Sequence, residues 1–237
     1  MVIDDVTKIQ TEDELMQRAQ WLVGKTLIEI VSEINQSDAH SRVTTKAGVG
    51  YAIEKGFFGI DMNSTAGADI PHLGIEVKTC PLKYNTARTK LSVKEPLSLN
   101  MINYNDEVSH PNLKDSSLYK KNRKVLFIFY IHDEAVPRSQ YEIKYVFLWE
   151  MTDTVLAELQ PDYTKIIQKI KDGKAHEIHQ TDHDYLTLCP KHGGKFSDPL
   201  DKKSKTTQPF SSAPGERRAY RLKTLYLNKI IAEHYAQ

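Results

Sequence analysis

The sequence predicts an α/β or α+β fold whose sheet is built from the middle of the chain. Apolar residues recur at helical spacing up to Phe58 and again after Thr154. Between them lie short runs with strand character: Leu73–Cys80, Leu97–Ile102, Val125–Ile131 and Ile143–Trp149. The 237 residues, 40% hydrophobic and 27% charged, suit one large domain or two intimate lobes and exclude a disordered or fibrous chain.

Each element has a local cause. Thr11-Glu12-Asp13-Glu14 reads as a capping box, and Leu15, Ala19 and Leu22 then mark one helical face until Gly24. Thr26-Leu27-Ile28-Glu29 repeats the signal and opens a second helix to about Asn35. A polar loop follows to residue 46, then a third helix from about Val49 to Phe58, stopped by Gly59. Asp133–Gln140, with Pro137, reads as the turn of a hairpin between the last two predicted strands. A helix is expected over about Thr154–Lys171, interrupted at Pro161 and ended by Gly173. A short strand Tyr185–Leu188, a Gly/Pro/Ser/Lys-rich loop 190–215 and a helix of about Ala219–His234 close the chain. Trp21 and Trp149 read as packing residues.

Composition narrows the class. Two cysteines, Cys80 and Cys189, suit a reducing compartment and exclude a disulfide scaffold. No apolar run reaches the roughly 18 residues of a membrane span, and the N-terminus is acidic where a signal peptide is basic. The expectation is a cytoplasmic protein with no membrane partner. Net charge is only +1, yet Lys191–Lys229 holds ten lysines and arginines against three acids, so the remainder is acidic. Local positive charge of this kind suits a duplex-binding lobe, because phosphates are neutralised locally.

Residues 67–81 read GADIPHLGIEVKTCP. Alternation along the strand puts Leu73, Ile75 and Val77 on one face and Glu76 with Lys78 on the other. Asp69 can return beside that pair from a neighbouring strand or turn, Gly74 leaves room for close approach, and Glu54 on the third helix offers another carboxylate. Converging carboxylates beside a lysine describe a Mg²⁺ site in which the lysine serves a water. A half-exposed surface ion pair is the plain alternative. Glu142-Ile143-Lys144, with Asp133 upstream, repeats the spacing, but the turn at Pro137 makes it the solvated face of a hairpin. His176, His179 and His183 read as a polar loop rather than a zinc site.

GIEVKTCP with Asp69 upstream resembles the D…G-[VI]-E-[LV]-K-T-x-P core of the MutH / Sau 3AI-type endonucleases, of the PD-(D/E)xK nuclease superfamily. The likeness extends to TEDELMQRAQWLVGKTLI (11–28), to Lys46-Ala47-Gly48-Val49-Gly50 followed by Glu54, and to SSLYKKNRKV (116–125). LSLNMINY (97–104), GKAHE (173–177) and RAYRLK (218–223) are closer to the Sau 3AI catalytic domain.

The resemblance implies a mixed central sheet flanked by helices, in two sub-lobes forming a DNA cleft. One domain, 1–237, would comprise a catalytic lobe of about 40–150 and a DNA-reading lobe of about 151–237 together with the N-terminal helices. Glu54, Asp69 and Glu76 would hold Mg²⁺, and Lys78 would serve the attacking water. Lys121 matches a second active-site lysine, with Lys120 as the alternative register. Lys46 matches a DNA-contacting lysine, and Lys191, Arg218, Tyr220, Arg221 and Lys223 fall where the family reads bases. The family tyrosine falls at Tyr220 or Arg221, and Cys189 stands where a family arginine does.

The implied activity is that of a Mg²⁺-dependent type II restriction endonuclease acting on duplex DNA at GATC and leaving 5′-phosphates. It would act as a homodimer on DNA or by successive nicks, with a cognate DNA methyltransferase as genetic partner. A strand-specific mismatch-repair nickase and a catalytically inactive DNA-binding module are the alternatives.

Overall fold

The computed structural model describes residues 6–33, 43–45, 48–60, 67–191 and 205–235, so Lys46 lies outside the described residues. The chain divides into two compact units, Met1–Glu95 with Lys124–Glu150, and Pro96–Arg123 with Met151–Gln237. These units differ from the lobes expected from the resemblance in two places. The N-terminal helices belong to the first unit, because Leu15, Ala19, Leu27 and Ile30 are buried in one cluster with Ile75, Val77, Leu126, Ile128 and Val146. Residues 96–123 belong to the second, where their strand pairs with the C-terminal part of the chain.

In the first unit, helices α1 (Glu12–Gln20) and α2 (Leu27–Ser32) precede a short α3 (Gly48–Tyr51), which runs directly into a π-helical turn, Ala52–Phe57. The Thr26–Glu29 capping box at α2 is complete. At α1, Thr11 accepts from the Glu14 N–H, but the Glu14 carboxylate takes the N–H of Gln10 instead of closing the box. Trp21 stacks on Phe57 with ring centroids 5.6 Å apart.

The first unit's sheet has the order β2-β1-β4-β5. Its strands are β1 (Ile75–Tyr84), β2 (Leu91–Val93), β4 (Lys124–Ile131) and β5 (Ile143–Glu150), while β3 (Leu97–Met101) lies in the second unit. β1 and β4 run parallel, with Glu76 opposite Val125 and Lys78 opposite Phe127; the other pairings are antiparallel. The unbroken apolar run of β4 is what a strand buried on both faces requires. Pro81 has no N–H to give, and β1 continues past it by pairing with β2 from Leu82. β2, only three residues long, is not anticipated from the pattern.

The second unit holds the antiparallel sheet β3-β9-β6, formed with β6 (Leu186–Pro190) and β9 (Arg218–Leu222), and the ribbon of β7 (Lys205–Thr206) and β8 (Gly215–Glu216). Its helices are α4 (Tyr104–Glu107), α5 (Ser117–Asn122), α6 (Asp153–Lys171) and α7 (Thr224–Tyr235). Two expectations are corrected here. α6 continues unbroken through Pro161, because its face of Leu156, Leu159, Tyr163, Ile166, Ile167 and Ile170 is buried along its length, and packing outweighs one lost hydrogen bond. Residues 219–222, expected as helix, form β9 because strands on both sides take up their backbone groups.

Candidate active site

The site is built where the edge of β1 is left open. Among the described residues β2 pairs with Leu82–Tyr84 alone, and no strand lies beside the backbone at Val77 on that side. The chain fills part of the gap itself. Ile70 and Ile75 form an antiparallel bridge around the turn Pro71–Gly74, with Gly74 at φ 66°. Gly74 therefore serves the turn, since this left-handed conformation is one that residues with a Cβ resist. The turn returns Asp69 to the strand, where the Val77 N–H donates to Asp69 Oδ2 at 2.9 Å. The Asp69 N–H donates in turn to Glu76 Oε2 at 3.2 Å.

Lys78 ties the set together. Its Nζ lies 2.5 Å from Glu76 Oε1 and 3.9 Å from Asp69 Oδ2, and it also donates to the Val77 carbonyl at 3.1 Å. Glu76 is only 2% exposed, so this is no surface ion pair. An ammonium shared by two carboxylates in a low-dielectric setting holds all three groups in fixed orientation.

Glu54 comes from the π-helical turn, and a Cβ placed on Gly50 would sit 3.5 Å from its Oε1 and 3.9 Å from Thr79 Oγ1. Burial pushes its carboxyl up to about 7; Lys78 pulls it down, while Asp69 and Glu76 push it further up. π-Turns of this kind occur often at functional sites.

The sign of that shift gives a prediction. A carboxyl raised from 4.5 to about 7 binds its proton more tightly when folded, so stability is lost as pH rises between those values. In metal-free protein, Glu54→Gln is expected to raise the melting temperature above pH 7 and leave it unchanged below pH 4.5. Thermal melts across that range check it.

Three hard-oxygen carboxylates around one lysine leave net negative charge, and that donor set fits a divalent cation such as Mg²⁺. Among the described residues no three His, Cys, Asp or Glu side chains are already drawn close enough to enclose an ion. Glu54 therefore stands within electrostatic reach of the Asp69–Glu76 pair without joining it in one closed set.

The other sequence candidates separate clearly. In the repeat of the spacing, Asp133 sits in the turn after β4 and pairs with Arg88 at 2.7 Å. His183 is buried with Nδ1 toward the His179 carbonyl and Thr187, and His176 meets Gln208. Both cysteines are buried, and burial pushes the Cys80 thiol up to about 12.

Lys121 lies on α5 in the second unit and is half-buried, whereas Lys120 is exposed. Two of the expected base-reading residues are buried in this structure. Arg218 is 5% exposed, with its guanidinium on the Ile178 carbonyl and Glu216. Tyr220 is fully buried, facing Glu107, Tyr163 and Tyr104. In β9 the alternation that buries Tyr220 turns Arg221, half-exposed, to the opposite face. Of the family tyrosine's two registers, the half-exposed position is thus Arg221. Lys191 donates to Ser98 Oγ at 2.9 Å and Lys223 to the His183 carbonyl at 2.6 Å, both half-exposed.

Sequence reasoning missed Glu107, a buried acid that accepts from the Ser117 N–H and hydroxyl and from Tyr163. The polar NDE stretch carries no sign of that burial.

The model of the family described as "DNA mismatch repair enzyme MutH" matches residues 58–162, which include Asp69, Glu76, Lys78 and Lys121. The DNA mismatch repair protein MutH of Pasteurella multocida (strain Pm70) is 30% identical over 182 residues, 77% of this chain and 79% of that protein. The chain belongs to the MutH family. Its fold is accordingly the restriction-endonuclease-like fold of the PD-(D/E)xK proteins. The type II restriction enzyme Sau3AI of Staphylococcus aureus is 31% identical over 226 residues, covering 94% of this MutH-family chain but only 43% of that enzyme. The MutH protein of Vibrio cholerae serotype O1 is 25% identical over 95% of this chain and 97% of its own length. Among the described residues of this family member, no helix is long and apolar enough to cross a membrane.

Proposed function

We propose that this chain is a Mg²⁺-dependent, sequence-specific endonuclease that hydrolyses phosphodiester bonds in duplex DNA, acting as a type II restriction enzyme at GATC. The observation that carries the reading is the Asp69–Glu76–Lys78 constellation on the open edge of β1. Asp69 and Glu76, with Glu54, would hold Mg²⁺, which when bound stabilises charge on the phosphate and acidifies water.

Lys78 does the rest. Held by Glu76, its Nζ presents N–H donors to the attacking water and to the oxygens of the phosphate as negative charge builds on them. Attack in line with the 3′ oxygen leaves a 5′-phosphate and a 3′-hydroxyl. Lys121 is assigned as a further active-site lysine by the resemblance alone. Lys46, Lys191, Arg218, Tyr220, Arg221 and Lys223 are assigned to DNA contact by the resemblance, with Lys191, Arg221 and Lys223 half-exposed. Double-strand cleavage calls for a homodimer on DNA or two successive nicks, and a cytoplasmic restriction enzyme calls for a cognate DNA methyltransferase.

A second reading, a strand-specific repair nickase, is supported by the likeness to the Pasteurella MutH protein, 30% identical over 77% of this chain. A supercoiled plasmid, with GATC methylated or unmethylated, separates the two. Discrete Mg²⁺-dependent fragments ending at GATC are expected, and EDTA is expected to remove them. Nicked circles alone select the repair reading, and absence of metal-dependent cutting leaves a DNA-binding module.

A further inference from the structure

The ribbon β7–β8 pairs Lys205 with Glu216 and Thr206 with Gly215, closing the loop 207–214. The loop is gripped at its base and at its tip. At the base, the Tyr104 hydroxyl donates to the Glu216 carbonyl at 2.8 Å, and Asn105 Nδ2 donates to Thr207 Oγ1 at 3.1 Å. A Cβ on Gly215 would stand 2.9 Å from the Tyr104 ring, so only glycine fits there.

Near the tip, Gln208 is buried and fully used. Its Oε1 accepts the Ala175 N–H at 2.7 Å, and its Nε2 donates to the Ala213 carbonyl at 2.6 Å and meets His176 Nδ1 at 2.9 Å. Gly173 lies so close that a Cβ on it would be 2.5 Å from the Phe210 carbonyl oxygen.

This scaffold holds Phe210 in an unfavourable state twice over. Its φ is 61°, a left-handed conformation that bulky residues avoid, and the residue is 73% exposed. A turn with positive φ after Pro209 normally takes glycine. A residue that is strained and solvated contributes nothing to the core that would justify it, and strain of this kind collects at functional positions. The surrounding sequence is the cationic stretch Lys191–Lys229, with ten lysines and arginines against three acids. A flat, exposed apolar ring carried by a stretch of sequence rich in cations is complementary to a nucleic acid, whose phosphates take the charge and whose bases take the ring.

We propose that Phe210 is a wedge that stacks its ring against the bases of bound duplex DNA. The inference rests on the DNA-cleaving function proposed above. Preorganisation of the loop explains why the strain is tolerated: the ring is already in place before DNA arrives.

Three variants test it by fluorescence anisotropy with a labelled GATC duplex, alongside thermal melts. Phe210→Ala is expected to weaken binding about tenfold, the size of one base–aromatic stack. Phe210→Trp is expected to restore it. Phe210→Gly is expected to raise the melting temperature, because glycine accepts the positive φ, while binding as weakly as the alanine variant. A merely structural role moves stability and affinity together. In a duplex carrying 2-aminopurine at successive positions, one position is expected to change fluorescence with the wild-type protein and not with Phe210→Ala.

Unchanged affinity in Phe210→Ala, when the wild type binds DNA, overturns the wedge. So does a change confined to self-association measured by light scattering, which would make the ring a protein contact. Failure of the wild type itself to bind DNA strikes the proposed function instead.

Discussion

Glu76→Ala and Lys78→Ala are each expected to lower DNA cleavage by about a thousandfold or more while changing duplex affinity only a few-fold. The asymmetry follows from where the two side chains sit. Glu76 is buried, accepts the Asp69 N–H and the Lys78 ammonium, and so fixes the orientation of both neighbours. Removing it takes away a carboxylate at the point where charge must be managed and frees Lys78 to drift toward Asp69, now its nearest acid at 3.9 Å. Affinity depends on phosphate neutralisation over a wide surface, to which one buried acid adds little. Lys78→Ala has the converse fault: it leaves Glu76 as a buried acid without its cation, which costs stability as well as rate. Glu76→Gln separates the two effects, since it keeps the shape and loses the charge. Plasmid cleavage measured beside anisotropy and a melting curve checks all three variants. Full activity in any of them removes the site assignment.

How much of this was readable beforehand depends on the kind of information a residue carries. The strand alternation placing Glu76 and Lys78 on one face and Val77 on the other is local, and it appears in the structure with Val77 in the helix-covered core. The caps at Thr11 and Thr26 are equally local. What escaped was settled by distant partners. Residues 219–222 show no local strand bias strong enough to overrule a helical reading, and they become β9 because β3 and β6 flank them. Pro161 obeys its neighbours' burial rather than its own propensity. Arg218 and Tyr220 lie in the stretch that resembles the family's reading segment, yet a resemblance of segments does not say which side chains turn inward. Gly74 reads from the sequence as a point of close approach, and its positive φ in the turn between Ile70 and Ile75 is set by that turn's bridge rather than by any local signal. The strain at Phe210 has no sequence signal beyond the preceding proline.

Asp162→Ala is expected to destabilise the protein by about 3 kcal/mol or more, the sum of orphaning several buried donors. Asp162 lies buried on α6 and its carboxylate accepts three successive backbone N–H groups at the entrance to β6: Asp184 at 2.9 Å, Tyr185 at 2.6 Å and Leu186 at 2.9 Å. Lys165 adds a longer contact at 3.7 Å. Burial pushes the Asp162 carboxyl up, but the N–H groups of Asp184, Tyr185 and Leu186 outweigh it and hold it below its ordinary value. A depressed carboxyl stabilises the fold above the ordinary carboxylate range, and this contribution is lost as pH falls through the folded value. Asp162→Asn keeps one acceptor oxygen and loses the charge, so it should melt between wild type and the alanine variant and show a flatter acid dependence than wild type. The consequence reaches function through β6, which pairs with β9 and sets Thr187 opposite Arg221, while Lys191 follows directly after Pro190. If Asp162 anchors the sheet that presents these cations, duplex affinity in Asp162→Asn should fall where its melting begins and match wild type well below it. Affinity lost at temperatures where the variant is fully folded would instead make Asp162 part of the DNA-contacting surface, which its burial argues against.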